Sequence, residues 1–273
     1  MSFITINEEQ CKKCGICSKA CPVGIIGTCQ DKIPEAIAGR EKNCVQCFHC
    51  ESVCPENALI HELSDKAIVS SEGNTETVSA VALNSYFRKR RSIRNYRSQP
   101  VNKAILQEIM DIVRYSPTGH NHQSNQWTIV YDSDVVQQLA KGTIDWMRAV
   151  MTSNTELAAR YGFRGLISEW EKGNDRICRN APHLAICCTP ADYSIGQKDA
   201  VIATAHLELL LPAYGLGGCW AGFLNIALQN SPELKKLIGI DDSMAVHSVL
   251  MLGIPAYKYY KTPDRKNADI TWI

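Results

Sequence analysis

The chain has 273 residues, a formal charge of +1, 45% hydrophobic and 21% charged residues, and 13 cysteines. This length predicts two domains, and the near-even charge argues against a nucleic-acid partner, because the one dense basic run is Arg88 to Arg94. The most apolar stretch, Leu209 to Leu224, is interrupted by Pro212 and four glycines and falls short of a membrane span.

The chain opens on a cysteine run, Cys11-x-x-Cys14-x-x-Cys17-x-x-x-Cys21-Pro22, which recurs as Cys44-x-x-Cys47-x-x-Cys50-x-x-x-Cys54-Pro55. The spacing resembles that of bacterial ferredoxins, where three close cysteines hold one cubane cluster and the fourth reaches to the other. Two copies predict two [4Fe–4S] clusters: one on Cys11, Cys14, Cys17 and Cys54, the second on Cys44, Cys47, Cys50 and Cys21. Zinc also uses C-x-x-C pairs, but three-plus-one spacing with a trailing proline has no tetrahedral rationale. Pro22 and Pro55 turn the chain after the distant ligands, and Gly15 and Gly24 permit tight turns near the first run. His49 is expected to cover a cluster rather than ligate one, since the cysteine set is already complete.

Thiolate ligation needs reduced cysteines, and no signal peptide is read before Cys11, so a cytoplasmic protein is expected. Each oxidised cluster with its four thiolates adds about −2, which takes the loaded protein to about −3. Cys29, Cys178, Cys187, Cys188 and Cys219 have no ligand spacing and read as buried small hydrophobes, with Cys187 and Cys188 pointing to opposite faces of a strand.

The cysteine-rich unit is placed at residues 1–62, a polar linker at 63–80 and a larger domain at 81–273. Ser79 to Arg91 reads as a helix. Asn102 caps another to about Arg114, with Ile105, Ile109, Ile112 and Val113 on one face. Trp127 to Tyr131, Leu184 to Thr189 and Ala245 to Leu252 read as strands. Ala200 to Tyr214 is helical, Gly142 to Asn180 is helical and partly exposed, and Ser231-Pro232-Glu233 starts a helix that Gly239 ends. Helices interleaved with few strands make the class α+β.

Three stretches suggest a cofactor. Arg90, Arg91, Ser92 and Arg94 form a phosphate socket at a helix-to-loop junction. Ser116 to Gln123 is rich in amides and hydroxyls. Gly215-Leu216-Gly217-Gly218-Cys219-Trp220-Ala221-Gly222 permits close backbone approach to a flat ligand. Trp220 stands where a dinucleotide fingerprint needs glycine. Together they resemble the nitroreductase family of FMN enzymes: R-R-S-x-R at Arg90, Arg91, Ser92 and Arg94; P-S/T-x-x-N-x-Q at Pro117, Thr118, Asn121 and Gln123; G-L-G-x-C-W-x-G at Gly215 to Gly222; and a late basic pair, Arg265 and Lys266. The chain departs from the family at Ser124, where proline often stands.

The resemblance implies a homodimer with FMN at the subunit interface. Arg90, Ser92, Arg94 and Arg265 would hold the phosphate, and Pro117, Thr118 and Asn121 would reach the partner's flavin. Ala221 and Gly222 would offer amides near N5; Arg91, Gly119, Gln123 and Lys266 complete the set. His120 and His122 are candidate proton donors. The expected function is reduction of a small acceptor, such as a nitro compound, quinone or activated alkene, with electrons supplied through the clusters by ferredoxin or another low-potential donor. The alternative is an electron-transfer module that passes electrons to a protein partner; dehalogenation or ring cleavage is a third reading.

Overall fold

The computed structural model describes residues 3–27, 31–62 and 77–273. Cys29 and most of the predicted linker lie outside these residues. Contacts divide the chain into two compact units, Met1–Thr77 with His120–His122, and Val78–Gly119 with Gln123–Ile273.

In the first unit the repeat is visible in the backbone. Strand β1 (Ile4–Ile6) precedes α1 (Ile16–Ala20), and α2 (His49–Ser52) precedes β2 (Leu59–His61). β1 and β2 pair antiparallel, with Ile4 opposite His61 and Ile6 opposite Leu59; Ile26 and Ala36 form a matching bridge. Left-handed residues recur at the same places in both halves: Lys13 (φ 55) and Gln46 (φ 50), Gly15 (φ 67) and Phe48 (φ 56), Gly24 (φ 61) and Asn57 (φ 50). Phe48 in a region that disfavours a Cβ by roughly 1–2 kcal/mol shows how firmly the loop dictates its path. Phe3, Ile4, Ile25, Ile26, Cys50 and Leu59 form the small core.

The second unit is an antiparallel sheet with helices on both faces. α3 (Ala80–Lys89) and α4 (Lys103–Val113) lead to β3 (Gln126–Val130). α5 (Ser133–Ser153), α6 (Thr155–Tyr161) and α7 (Phe163–Glu171) follow, then β4 (His183–Pro190), α8 (Gly196–Leu210), β5 (Gly217–Trp220), α9 (Gly222–Asn230), α10 (Pro232–Leu237) and β6 (Met244–Gly253). The strand order is β3-β4-β6-β5. Caps start the helices, at Asn102 and Ser231 as the sequence predicts and also at Ser79: Ser79 Oγ accepts from Ala82 N (3.1 Å), Asn102 Oδ1 from Ala104 N (2.8 Å) and Ser231 Oγ from Leu234 N (3.4 Å).

Period-2 alternation sends side chains to two cores. Leu184, Ile186, Val249 and Met251 pack with α5, α7 and α9, while Ala185, Leu250 and Leu252 pack with α4 and α8. Cys187 and Cys188 are both buried, and the β4–β6 register shifts between them. Two expectations change. On α4 the buried face is Leu106, Ile109 and Val113, and Ile112 is 43% exposed. The predicted mixed segment begins earlier, where Asp132 caps α5, and Val136, Leu139, Ile144 and Met147 bury its inner face. Within the glycine-rich stretch, Gly217–Trp220 is the edge strand β5. A Cβ on Gly217 would strike Ile93, and one on Gly218 would lie 2.8 Å from Leu211 Cδ1, so these glycines admit neighbouring side chains.

Candidate functional site

Two cavities in the first unit gather the cysteines in the crossed arrangement. One is lined by Cys11, Cys14, Cys17 and Cys54 among Ile6, Ile16, Pro34 and Leu59. The other is lined by Cys21, Cys44, Cys47 and Cys50 among Phe3, Val23, Phe48 and His61. Left-handed turns place each C-x-x-C-x-x-C loop around a hollow. Among the described residues no group of three or more His, Cys, Asp or Glu side chains is set closely enough for one metal ion. Four thiols lining one hollow match a cubane, which carries its sulfurs on separate corners. Backbone donors reach the sulfurs in each cavity: Gln46 N to Cys44 Sγ (3.4 Å) and Ala58 N to Cys54 Sγ (3.3 Å). Burial pushes the Cys17 and Cys44 thiols up and Cys50 to about 11. Their ionisation therefore depends on what they bind.

His49 does not line the second cavity; it is exposed at the first position of α2. The covering rings are Phe48 and His61, and sequence reasoning passed over His61. Its Nε2 lies 3.3 Å from Cys44 Sγ. Its distance along the chain from Cys44 hid it; pairing of β2 with β1 brings it in.

In the second unit the arginine segment lies along the sheet edge. Ile93 N donates to Gly218 O (2.9 Å), Arg97 N to Ile254 O (2.9 Å) and Ala256 N to Asn95 O (3.0 Å). The predicted phosphate residues divide. Arg90, Arg91 and Arg265 line one cleft with Arg88 and Phe87; Lys266 is exposed and does not line it. Arg90 is also held by the buried Glu208, Nη1 to Oε1 2.7 Å, and Glu208 Oε2 accepts from Trp220 Nε1 at 3.0 Å. Two residues along the extended segment, Ser92 and Arg94 turn towards Cys219. Burial raises the Cys219 thiol, against the pull of Arg94 and Arg179.

Arg179 is a second residue the sequence did not reveal. Burial and then the charge of Arg94 hold its guanidinium below the usual range. It sits left-handed (φ 55) in a turn built by Asp175, whose Oδ1 accepts from Ile177 N (2.8 Å) and Cys178 N (2.9 Å) and whose Oδ2 accepts from Asn180 N (2.9 Å). Asp175→Ala should therefore destabilise the fold by about 2–5 kcal/mol, by leaving three amides unpaired, and Asp175→Asn by less. Denaturant midpoints measure the difference.

A further cleft is lined by Ser116, Thr118, Gln123, Asn125, Trp127 and Met110. Thr118 Oγ1 accepts from Gln123 N (3.0 Å). The Gly119 amide donates to Asp199 (3.1 Å), and a Cβ on Gly119 would strike Ile195. Asn125 Oδ1 is buried without a hydrogen-bond partner among the described residues. An orphaned acceptor in a polar cleft fits a ligand with an N–H donor, as a flavin ring has. Pro117 is exposed. The His120–His122 turn groups with the first unit, where Asn121 Nδ2 donates to Val45 O (3.1 Å) and Gln46 O (2.9 Å). His120 and His122 are exposed, His120 at φ 50.

The Ala221 amide is not the available donor that the resemblance implies. It donates to Val249 O at 2.8 Å, extending the β5–β6 ladder. Gly222 is exposed at the first residue of α9, where helix geometry leaves its N–H without an intrahelical acceptor.

A nitroreductase family model matches residues 87–254, and a 4Fe-4S binding domain model matches residues 4–27. An NADH dehydrogenase of Thermus thermophilus is 26% identical over 187 residues, 63% of this chain and 86% of the relative. A ferredoxin of Methanothermococcus thermolithotrophicus is 33% identical over 58 residues, 20% of this chain and 92% of that protein. The structure of a nitroreductase with bound FMN from Bacteroides fragilis, 20% identical, superposes with a TM-score of 0.57 over 70% of this chain and 98% of that one.

Proposed function

The chain belongs to the nitroreductase family, with a 4Fe-4S binding domain ahead of the family region, and from that premise we propose that it is an FMN oxidoreductase supplied with electrons through two clusters of its own. In this reading a cluster unit to about residue 62 is joined by residues 63–80 to an FMN unit. The carrying observation is the pair of cysteine-lined cavities. The ferredoxin relative supports it, because that similarity runs over 58 residues, longer than one cysteine run.

Bound, the clusters supply single-electron transfer and FMN supplies hydride delivery to an acceptor. The chain's own residues bind and orient. Arg91 and Arg265 offer planar forks to a phosphate in their cleft, with Arg90 braced by Glu208. Arg94 and Arg179, cations whose charges act on each other, gain from an anion that reaches both. Thr118, Gln123 and Asn125 offer hydroxyl and amide groups to a ring, and Gly222 offers an N–H at a helix start. The acceptor is a small molecule: a nitro compound, quinone or activated alkene suits a polar cleft over a flat ring.

The same reading makes the protein a homodimer. α3 buries none of its residues, and Val81 (80% exposed) and Phe87 (53%) stand on it. Tyr260 (84%) and Trp272 (88%) stand on the segment after β6. Exposed apolar groups of this size call for a partner surface, and one shared by identical chains buries both at once.

Stopped-flow reduction tests the electron route. Reduced ferredoxin, or a low-potential viologen dye, should reduce the flavin faster than NADH or NADPH by about tenfold or more. Rapid reduction by NAD(P)H, with none from the one-electron donors, would remove the clusters from the route.

A further inference from the structure

His61 is almost wholly enclosed, at 2% exposure, yet it is a polar ring against a cysteine. Its ring is held by aromatic neighbours and its backbone by hydrogen bonds. Phe48 meets it edge-on at 4.7 Å and 76°, and Phe3 lies at 5.5 Å. Its own backbone N–H donates to Glu51 Oε2 at 3.0 Å, while β2 holds it opposite Ile4. Nε2 is thereby aimed at Cys44 Sγ, 3.3 Å away. A cysteine that ligates iron is a thiolate with no proton to give. The hydrogen in this contact therefore belongs to the ring, and Nε2 is the donor.

Resting on the two-cluster reading above, we infer that His61 is a positioning residue for electron transfer, whose Nε2–H···Sγ bond to Cys44 raises the reduction potential of the second cluster. One electron entering from the donor adds one negative charge, spread over the iron and its sulfurs. A fixed N–H dipole stabilises the more negative state more, and with His61 2% exposed water does not replace it.

The bond breaks the symmetry of the repeat. Backbone donors reach sulfur in both cavities, Gln46 N in one and Ala58 N in the other. The second adds His61, whereas no histidine lines the first among the described residues. The repeat position equivalent to His61 is Thr28, which lies outside the described residues. Burial works the other way. Cys50 is buried where its counterpart Cys17 is half-buried, and Cys14 is exposed, so the second cavity resists added negative charge more. His61 offsets that resistance, which keeps electron entry into the enclosed cluster feasible.

The test uses full-length protein, purified anaerobically. Iron analysis comes first: about eight iron atoms per chain establishes loading, and about four or fewer ends the two-cluster reading and this inference with it. With loading established, an EPR-monitored redox titration follows. His61→Phe keeps the ring's bulk and removes the donor. It should move one midpoint potential to more negative values, the one lost in Cys47→Ser, and leave the other in place. His61→Gln, which restores an N–H, should bring the shift part of the way back. No shift, or a positive one, overturns the inference while the two-cluster reading stands. The wild type supplies a second readout should the variants misfold. Pulsed EPR on reduced protein labelled with 15N only in histidine should show a weak ring-nitrogen coupling that survives His49→Phe. Absence of that coupling, or the strong coupling of a bound ligand, also overturns it.

Discussion

Replacing Cys21 with alanine is expected to strip iron from the cavity of Cys44, Cys47 and Cys50 while its sequence neighbours Cys11, Cys14 and Cys17 stay loaded. Cys21 follows directly on α1, and the turn at Pro22 and Gly24 carries its sulfur into the second cavity with Val23 and Ile25. Cys54 does the same in reverse, lining the first cavity beside Pro55 and Glu56. Glu56 is tied to Lys12 by an ion pair, which joins the two halves of the repeat at that cavity. A three-cysteine site left by the mutation has one corner open to solvent and loses iron first. Iron should fall from about eight to about four atoms per chain, and reduction by a one-electron donor should slow with it. The EPR signal that remains should be the one abolished by Cys14→Ser. Loss confined to the Cys11, Cys14 and Cys17 site would contradict the crossed arrangement.

Arg94→Ala is expected to weaken FMN binding by about 10- to 150-fold, the equivalent of about 1.5–3 kcal/mol for a charge-assisted contact, and to leave riboflavin nearly unaffected. Arg94 is exposed and, among the described residues, no carboxylate pairs with it. Its neighbour Arg179 is a second cation, so the pair repels until an anion arrives. Arg90 makes a poorer test of the phosphate, because its loss also takes the cation from buried Glu208. Isothermal titration of FMN and riboflavin into the apoprotein separates the roles. Equal losses for both ligands would mean that Arg94 acts on the ring or the fold.

Most elements of the second unit were legible because their signals are local. Ser79, Asn102 and Ser231 sit where a side-chain oxygen meets the first free amides of a helix, and each does so. The strands at β3, β4 and β6 show as apolar runs because the sheet is covered on both faces. β5 did not show. Its glycines, absent from most strands, are there because Ile93 and Leu211 occupy the space of a side chain. Nothing near Gly217 in sequence announces that neighbour. The face of α4 was misjudged for a related reason: several registers of the helix offer isoleucines, and packing against α8 selected the one with Leu106.

The sequence by itself determined what is local in ligand geometry. Three cysteines at i, i+3 and i+6 wrap a hollow whatever the rest of the chain does, and the repeat names the fourth donor by symmetry. Arginine forks and a serine at a helix end are likewise a local pattern, that of an anion socket. Tertiary structure alone decided which of these groups are available. It committed Arg90 to Glu208 and the Ala221 amide to Val249, and it brought Arg179 to Arg94 and His61 to Cys44. Each of those four relations joins groups separated in sequence. Such a relation forms only when sheet pairing and core burial offset the chain entropy of closing the loop between them, and no local spacing records it.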